Sequence, residues 1–137
     1  MTGSRATGGC QCGAVRYIVS ATPLAVYICH CRECRKQSAS AFGVSVIVPA
    51  DSFKLTQGKL AVWQRPTDSG RVLHCAFCVA CGTRIRHATP GKPTVSVKGG
   101  SLDEPPDLTA AKHIWTSRRL AGVVIPDNAT QFPGEPP

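Results

Sequence analysis

Residues 71–82 read Arg-Val-Leu-His-Cys-Ala-Phe-Cys-Val-Ala-Cys-Gly. Gly70 stands ahead of the run as a turn residue, and 71–77 reads as a short strand. The stretch then passes into Cys78-Val79-Ala80-Cys81 and Gly82, the form of a metal knuckle. Such a turn lets two thiolates face one ion while backbone amides bond to the sulfurs. A strand that runs straight into a knuckle predicts a small β domain stapled by metal.

The rest of the chain extends this pattern. Val15, Tyr17 and Val19 share one face of a period-two segment, as do Leu24, Val26 and Ile28, and Val44, Val46 and Val48. Further strands are expected at 60–64, 83–87, 94–98 and 122–125. Pro23, Pro49, Gly58, Pro66, Pro90 and Gly91 punctuate them, among 13 glycines and 11 prolines in all. Helices are expected to be brief, at about 32–38 and 107–112. The fold class that follows is mostly β, built of short antiparallel strands. The 137 residues correspond to one domain, with a core over about 8–125. Residues 1–8 read as a loose start and 126–137 as a surface tail.

Apolar residues make up 42% of the chain, but eight of them are cysteines and only eight residues are aromatic. The ordinary core is therefore thin, and bound metal would compensate by contributing folding energy. No run of 18 apolar residues is present, so no membrane span is expected. The N-terminus lacks the apolar region of a secretory signal, which makes the cytoplasm the expected compartment. Sixteen basic residues against eight acidic ones give a net charge of +8. Two zinc ions on seven thiolates would lower this to about +5. The basic residues are scattered, with short groups at Arg32/Arg35/Lys36 and Arg118/Arg119, and no basic–aromatic interleaving marks a nucleic-acid platform. Nucleic acid is thus a disfavoured partner; a homodimer is left open.

The eight cysteines fall into three clusters: Cys10 and Cys12; Cys29, Cys31 and Cys34; and Cys75, Cys78 and Cys81. A disulfide framework would need an oxidising compartment. Chance burial of apolar thiols does not produce three tight clusters. Zinc accounts for them better, with an iron–sulfur cluster as the minor rival. Cys10 and Cys12 would lie on one face of an extended chain. Joined to Cys78 and Cys81, they form a four-thiolate structural site with distant halves. Cys29, Cys31 and Cys34 supply three thiolates and leave one position open, as a catalytic zinc requires. Cys75, His30 and His113 are the candidates to close it, Cys75 foremost, though Cys75 reads better as a spare buried thiol beside the knuckle.

These residues resemble the glutathione-dependent formaldehyde-activating enzyme family, which includes relatives of centromere protein V. The resemblance rests on GGCQCGAVRY (8–17), CHCRECRK (29–36) with SAFG (40–43), FCVACGT (77–83), GGSLDEP (99–105) and HIWTS (113–117). It implies a double-sheet, tent-like β domain with two zinc ions per chain. Cys10, Cys12, Cys78 and Cys81 would hold the structural ion and Cys29, Cys31 and Cys34 the catalytic one. The implied activity is that of a carbon–sulfur lyase, joining glutathione and formaldehyde reversibly into S-hydroxymethylglutathione. Ala39 stands where the family often has glycine, and Cys75 is additional to the usual set.

An open zinc position suits this chemistry, because a free thiol is mostly protonated at neutral pH. A glutathione-like thiol carries carboxylates, for which Arg32, Arg35 and Lys36 are candidate binders. His113 is either a proton carrier or a packing partner of Trp115. Asp103 is expected to turn the chain, and Phe42 and Trp115 to serve the core. The alternative reading is a non-catalytic, zinc-stabilised binding module for an acidic partner or nucleic acid.

Overall fold

The computed structural model describes residues 5–137. Ten strands and one α-helix form among the described residues. A three-stranded antiparallel sheet runs β1 (Ala6–Gly9), β2 (Arg16–Val19) and β5 (Phe53–Gln57). A seven-stranded sheet has the order β10 (Lys112–Ile114), β3 (Ala25–Cys29), β4 (Gly43–Pro49), β9 (Thr94–Lys98), β8 (Arg84–Ala88), β7 (Val72–Cys78) and β6 (Leu60–Pro66). Only β10 and β3 pair in parallel; the other pairs in this sheet are antiparallel.

The core unites residues of both sheets. Val15, Tyr17, Val19 and Phe53 meet Val46, Val48, Ile85, Val95 and Val97 in one buried cluster. Tyr17 and Phe53 stack with ring centroids 4.9 Å apart, and the Arg86 guanidinium lies 4.7 Å over the Phe53 ring. The Ser101 hydroxyl donates to the Lys98 carbonyl at 2.7 Å, so the buried Tyr17 hydroxyl donates to Ser101 Oγ at 2.8 Å. Strand alternation then sends Ser45, Ile47, Ser96 and Lys98 to the opposite face of the large sheet. That face carries the candidate site.

The mostly β, two-sheet expectation holds, and α1 (Arg32–Ser38) forms where the sequence predicts it. Several expectations need correction. No helix forms over 107–112. Asp107 Oδ1 accepts from the Thr109 amide at 2.9 Å, an Asx turn that competes with helix, and Lys112–Ile114 joins β3. No strand forms over 122–125, because Gly122 turns the chain with φ +93°. The expected loose start lies partly outside the described residues (1–4), and Ala6–Gly9 forms β1. Asp103 does not turn the chain through its side chain. It takes the Arg16 guanidinium on both carboxylate oxygens and the Thr7 hydroxyl at 2.7 Å, fastening 103 to β1 and β2. The tail is pinned at 130–134 by backbone hydrogen bonds to 113–116.

Candidate metal centres and cationic cavity

The first cluster forms where two glycine-ended turns face each other. Gly13 (φ +84°) closes the turn after Cys10 and Cys12, its amide donating to the Cys10 carbonyl at 3.1 Å. Gly82 (φ +82°) does the same after Cys78 and Cys81, with a 2.8 Å bond to the Cys78 carbonyl. Only glycine adopts this conformation without strain. The amide of Gln11 donates to Thr83 Oγ1 at 3.0 Å and ties the turns together.

All four sulfurs lie within 4.8 Å of one another. Four thiolates about 2.3 Å from one zinc would sit roughly 3.8 Å apart. The Cys10–Cys12 and Cys12–Cys78 sulfur distances are 3.6 and 3.9 Å, which fits. The Val15 amide donates to Cys10 Sγ at 3.1 Å, and the Thr83 hydroxyl lies 3.2 Å from Cys81 Sγ. The Thr83 hydroxyl and amide hold the Cys81 thiol down to about 5. Such donors spread thiolate charge and orient ligands. This cluster could hold a metal ion, consistent with zinc.

Cys29, Cys31 and Cys34 form the second cluster, again within 4.8 Å. Cys29 ends β3, and Cys31 caps α1, its sulfur accepting from the Cys34 amide at 3.3 Å. One turn of helix thereby brings the third thiol back to the first two. Hydrogen bonds from the Cys29 and Cys34 thiols hold Cys31 down to about 2, while Cys29 and Cys34 are themselves pushed up, so a single negative charge settles on Cys31. The trio likewise could hold a metal. Cys75 is outside it: fully buried, with its sulfur 3.8 Å from the Leu73 carbonyl. His30 turns away from the cluster, and its Nε2 meets His113 Nδ1 at 3.0 Å.

The trio opens on a cavity of about 610 Å³. Lys36, Arg65, Arg84, Lys92 and Lys98 line it, against the carboxylates of Glu33 and Glu135. Lys98 is 7% exposed and donates to Ser45 Oγ at 2.9 Å. It has no carboxylate partner among the described residues. Burial lowers its pKa, while Cys34 and Cys29 act in the opposite direction. His87 is pushed down to about 3 by burial and then by Lys98, Arg84 and Arg65. It is therefore neutral, and its Nε2 accepts from Arg84 at 2.9 Å.

Among the sequence candidates, Lys36 lines the cavity. Arg32 and Arg35 line, again with Lys36, a separate shallow depression beside Ala39 and Ser40. His113 is buried and stacked against His30, and it does not line the cavity. Sequence reasoning did not single out Arg65, Arg84, His87 or Lys98. The signal for Lys98 is present: it continues the polar face of Thr94 and Ser96. Arg84 and His87 share a face only because Ile85 forms a bulge opposite Ala76 and Phe77.

The model of the family described as glutathione-dependent formaldehyde-activating enzyme matches residues 5–118. The chain is also similar to the crystal structure of a Rhodobacter sphaeroides protein, at 23% identity and a TM-score of 0.60. The match covers 78% of this chain and 98% of that one, and the likeness is one of fold.

Proposed function

The chain belongs to the glutathione-dependent formaldehyde-activating enzyme family, and from that premise we propose that it is a zinc-dependent carbon–sulfur lyase. It joins a glutathione-like thiol and an aldehyde, formaldehyde in the simplest case, reversibly into an S-hydroxymethyl adduct. The observation that carries this reading is a three-thiol cluster opening on a cavity with cationic walls. Cys10, Cys12, Cys78 and Cys81 hold a structural ion, and Cys29, Cys31 and Cys34 hold the second. Bound zinc with one free position supplies the means to keep a substrate thiol ionised at neutral pH.

The chain's own side chains select and orient the thiol. Arg84, Arg65 and Lys98 receive its carboxylates, with Lys36 at the rim. Arginine suits this task because its planar donors match a carboxylate pairwise. Neutral His87 accepts one Arg84 donor and fixes the guanidinium plane without neutralising its charge. The reaction is redox-neutral: a carbon–sulfur bond forms, and the thiol proton ends on the former carbonyl oxygen. Cys75, being outside the trio, leaves the fourth position to substrate, which favours an enzyme over a closed binding module.

The test is the rate of S-hydroxymethylglutathione formation by zinc-loaded protein above the spontaneous reaction. Arg84→Gln is expected to raise KM about ten- to hundredfold, the loss of one charge-assisted contact worth roughly 1.5–3 kcal/mol. No rate above the uncatalysed background overturns the reading.

A further inference from the structure

The cavity has a wall that the family match does not reach. The match ends at residue 118, whereas Glu135 and Pro136 line the cavity. The tail that carries them is strapped down. The His113 amide donates to the Thr130 carbonyl and the Phe132 amide to the His113 carbonyl, both at 2.9 Å. The Trp115 amide donates to the Gly134 carbonyl at 3.1 Å, and the Ser117 hydroxyl to the Pro133 carbonyl at 2.6 Å.

Glu135 itself is held by an unusual residue. Trp115 has φ +54°, a conformation that bulky side chains rarely adopt. From there its Nε1–H donates to Glu135 Oε1 at 2.7 Å. Glu135 has no cationic partner among the described residues, although lysines and arginines line the same cavity. The other lining carboxylate, Glu33, faces Arg32 at 3.6 Å and Arg65 at 3.9 Å. A fixed, unpaired carboxylate in a cationic cavity weakens a purely anionic ligand. It favours one that also carries positive charge.

We propose that Glu135 is an ammonium-recognising subsite, so that the cavity selects a zwitterionic thiol bearing a free primary amine. This deepens the reading above and rests on it. The subsite belongs to the strap, beyond the residues that the family model matches.

The test is calorimetric binding of glutathione, N-acetylglutathione and S-methylglutathione to the metal-loaded protein and to Glu135→Gln. The glutamine keeps an oxygen for the Trp115 indole and removes only the charge. The intact protein is expected to prefer glutathione over its N-acetyl form by about threefold, in the range of an exposed ion pair. Glu135→Gln should bring that ratio to about one, leaving N-acetylglutathione binding unchanged. Equal binding of both ligands by the intact protein, or an unchanged ratio in Glu135→Gln, overturns the subsite. Cobalt-loaded protein separates the two readings. Failure of glutathione to alter its visible spectrum overturns thiol ligation. Preference for S-methylglutathione by the intact protein over Glu135→Gln would still support the subsite.

Discussion

Lys98 and Ser45 face each other directly across β9 and β4, and the ammonium donates to the hydroxyl at 2.9 Å. A buried cation held only by a neutral hydroxyl is costly to the fold. Its value lies in the cavity it shares with Cys29, Cys31 and Cys34. Lys98→Met should therefore leave the melting temperature unchanged or raise it, as replacement of a buried charge by a well-packed apolar group often does. Glutathione affinity should fall about tenfold, or about 1.4 kcal/mol. Thermal unfolding and calorimetric titration of the same preparation check both arms. A large loss of stability with unchanged affinity would make Lys98 a structural residue.

Ala39 ends α1 in the left-handed region, with φ 51° and ψ 41°. Its amide donates to the Lys36 carbonyl at 3.2 Å, and that of Ser40 to Arg35 at 3.2 Å, which closes the helix. A Cβ is unfavourable here, by roughly 1 kcal/mol against glycine. Ala39→Gly is expected to raise the melting temperature by about 3–5 °C, given the entropy of unfolding of a chain this size. Ala39 lies in the outer depression and not in the large cavity, so turnover should not change. Lower stability in Ala39→Gly would contradict the cap.

His87 gives the fold a pH dependence of definite sign. Its pKa in the folded protein is about 3, against 6.5 in the unfolded chain. Between these values the unfolded state binds the extra proton, so stability falls as pH drops below 6.5. The slope contributed by one such group approaches about 1.4 kcal/mol per pH unit. His87→Gln should flatten the decline in melting temperature between pH 7 and 5 and keep an acceptor for Arg84. The comparison is made on zinc-loaded samples with metal content verified at each pH. An equal decline in both proteins would assign the acid sensitivity elsewhere.

These groups were unequally legible in the sequence. Period two over β4 and β9 separates Val46, Val48 and Val97 from the polar cavity face, because neither strand shifts register. β5, with Phe53 and Leu55 against Lys54 and Thr56, is not among the expected strands, since its alternation spans only five residues. The cysteine spacings within Cys29/Cys31/Cys34, Cys10/Cys12 and Cys78/Cys81 are local and legible, whereas the meeting of the last two pairs, 66 residues apart, is made by the fold. Arg84 and His87 are not legible in this way. Strict alternation places Arg84 with Arg86, and only the shifted register against β7 at Ile85 separates them. β10 is three residues of parallel pairing, set by contacts with β3 and the tail, and it leaves no periodic trace.

The two metal clusters should respond differently to loss of one thiol. Cys78 is buried at the end of β7, and its cluster joins it to a turn more than sixty residues away in sequence. Closing so long a loop restricts the unfolded chain more than a local clip does. Cys29, Cys31 and Cys34 span a single turn that α1 already closes by its own hydrogen bonds. Cys78→Ser is thus expected to lose one zinc and several kcal/mol of stability, since structural zinc binding is coupled to folding. Cys31→Ser should lose one zinc and nearly all activity with a smaller loss of stability, because the serine hydroxyl can still cap α1. Elemental analysis, thermal unfolding and turnover on both variants decide the matter. Equal unfolding by the two would remove the division into a structural and a catalytic centre.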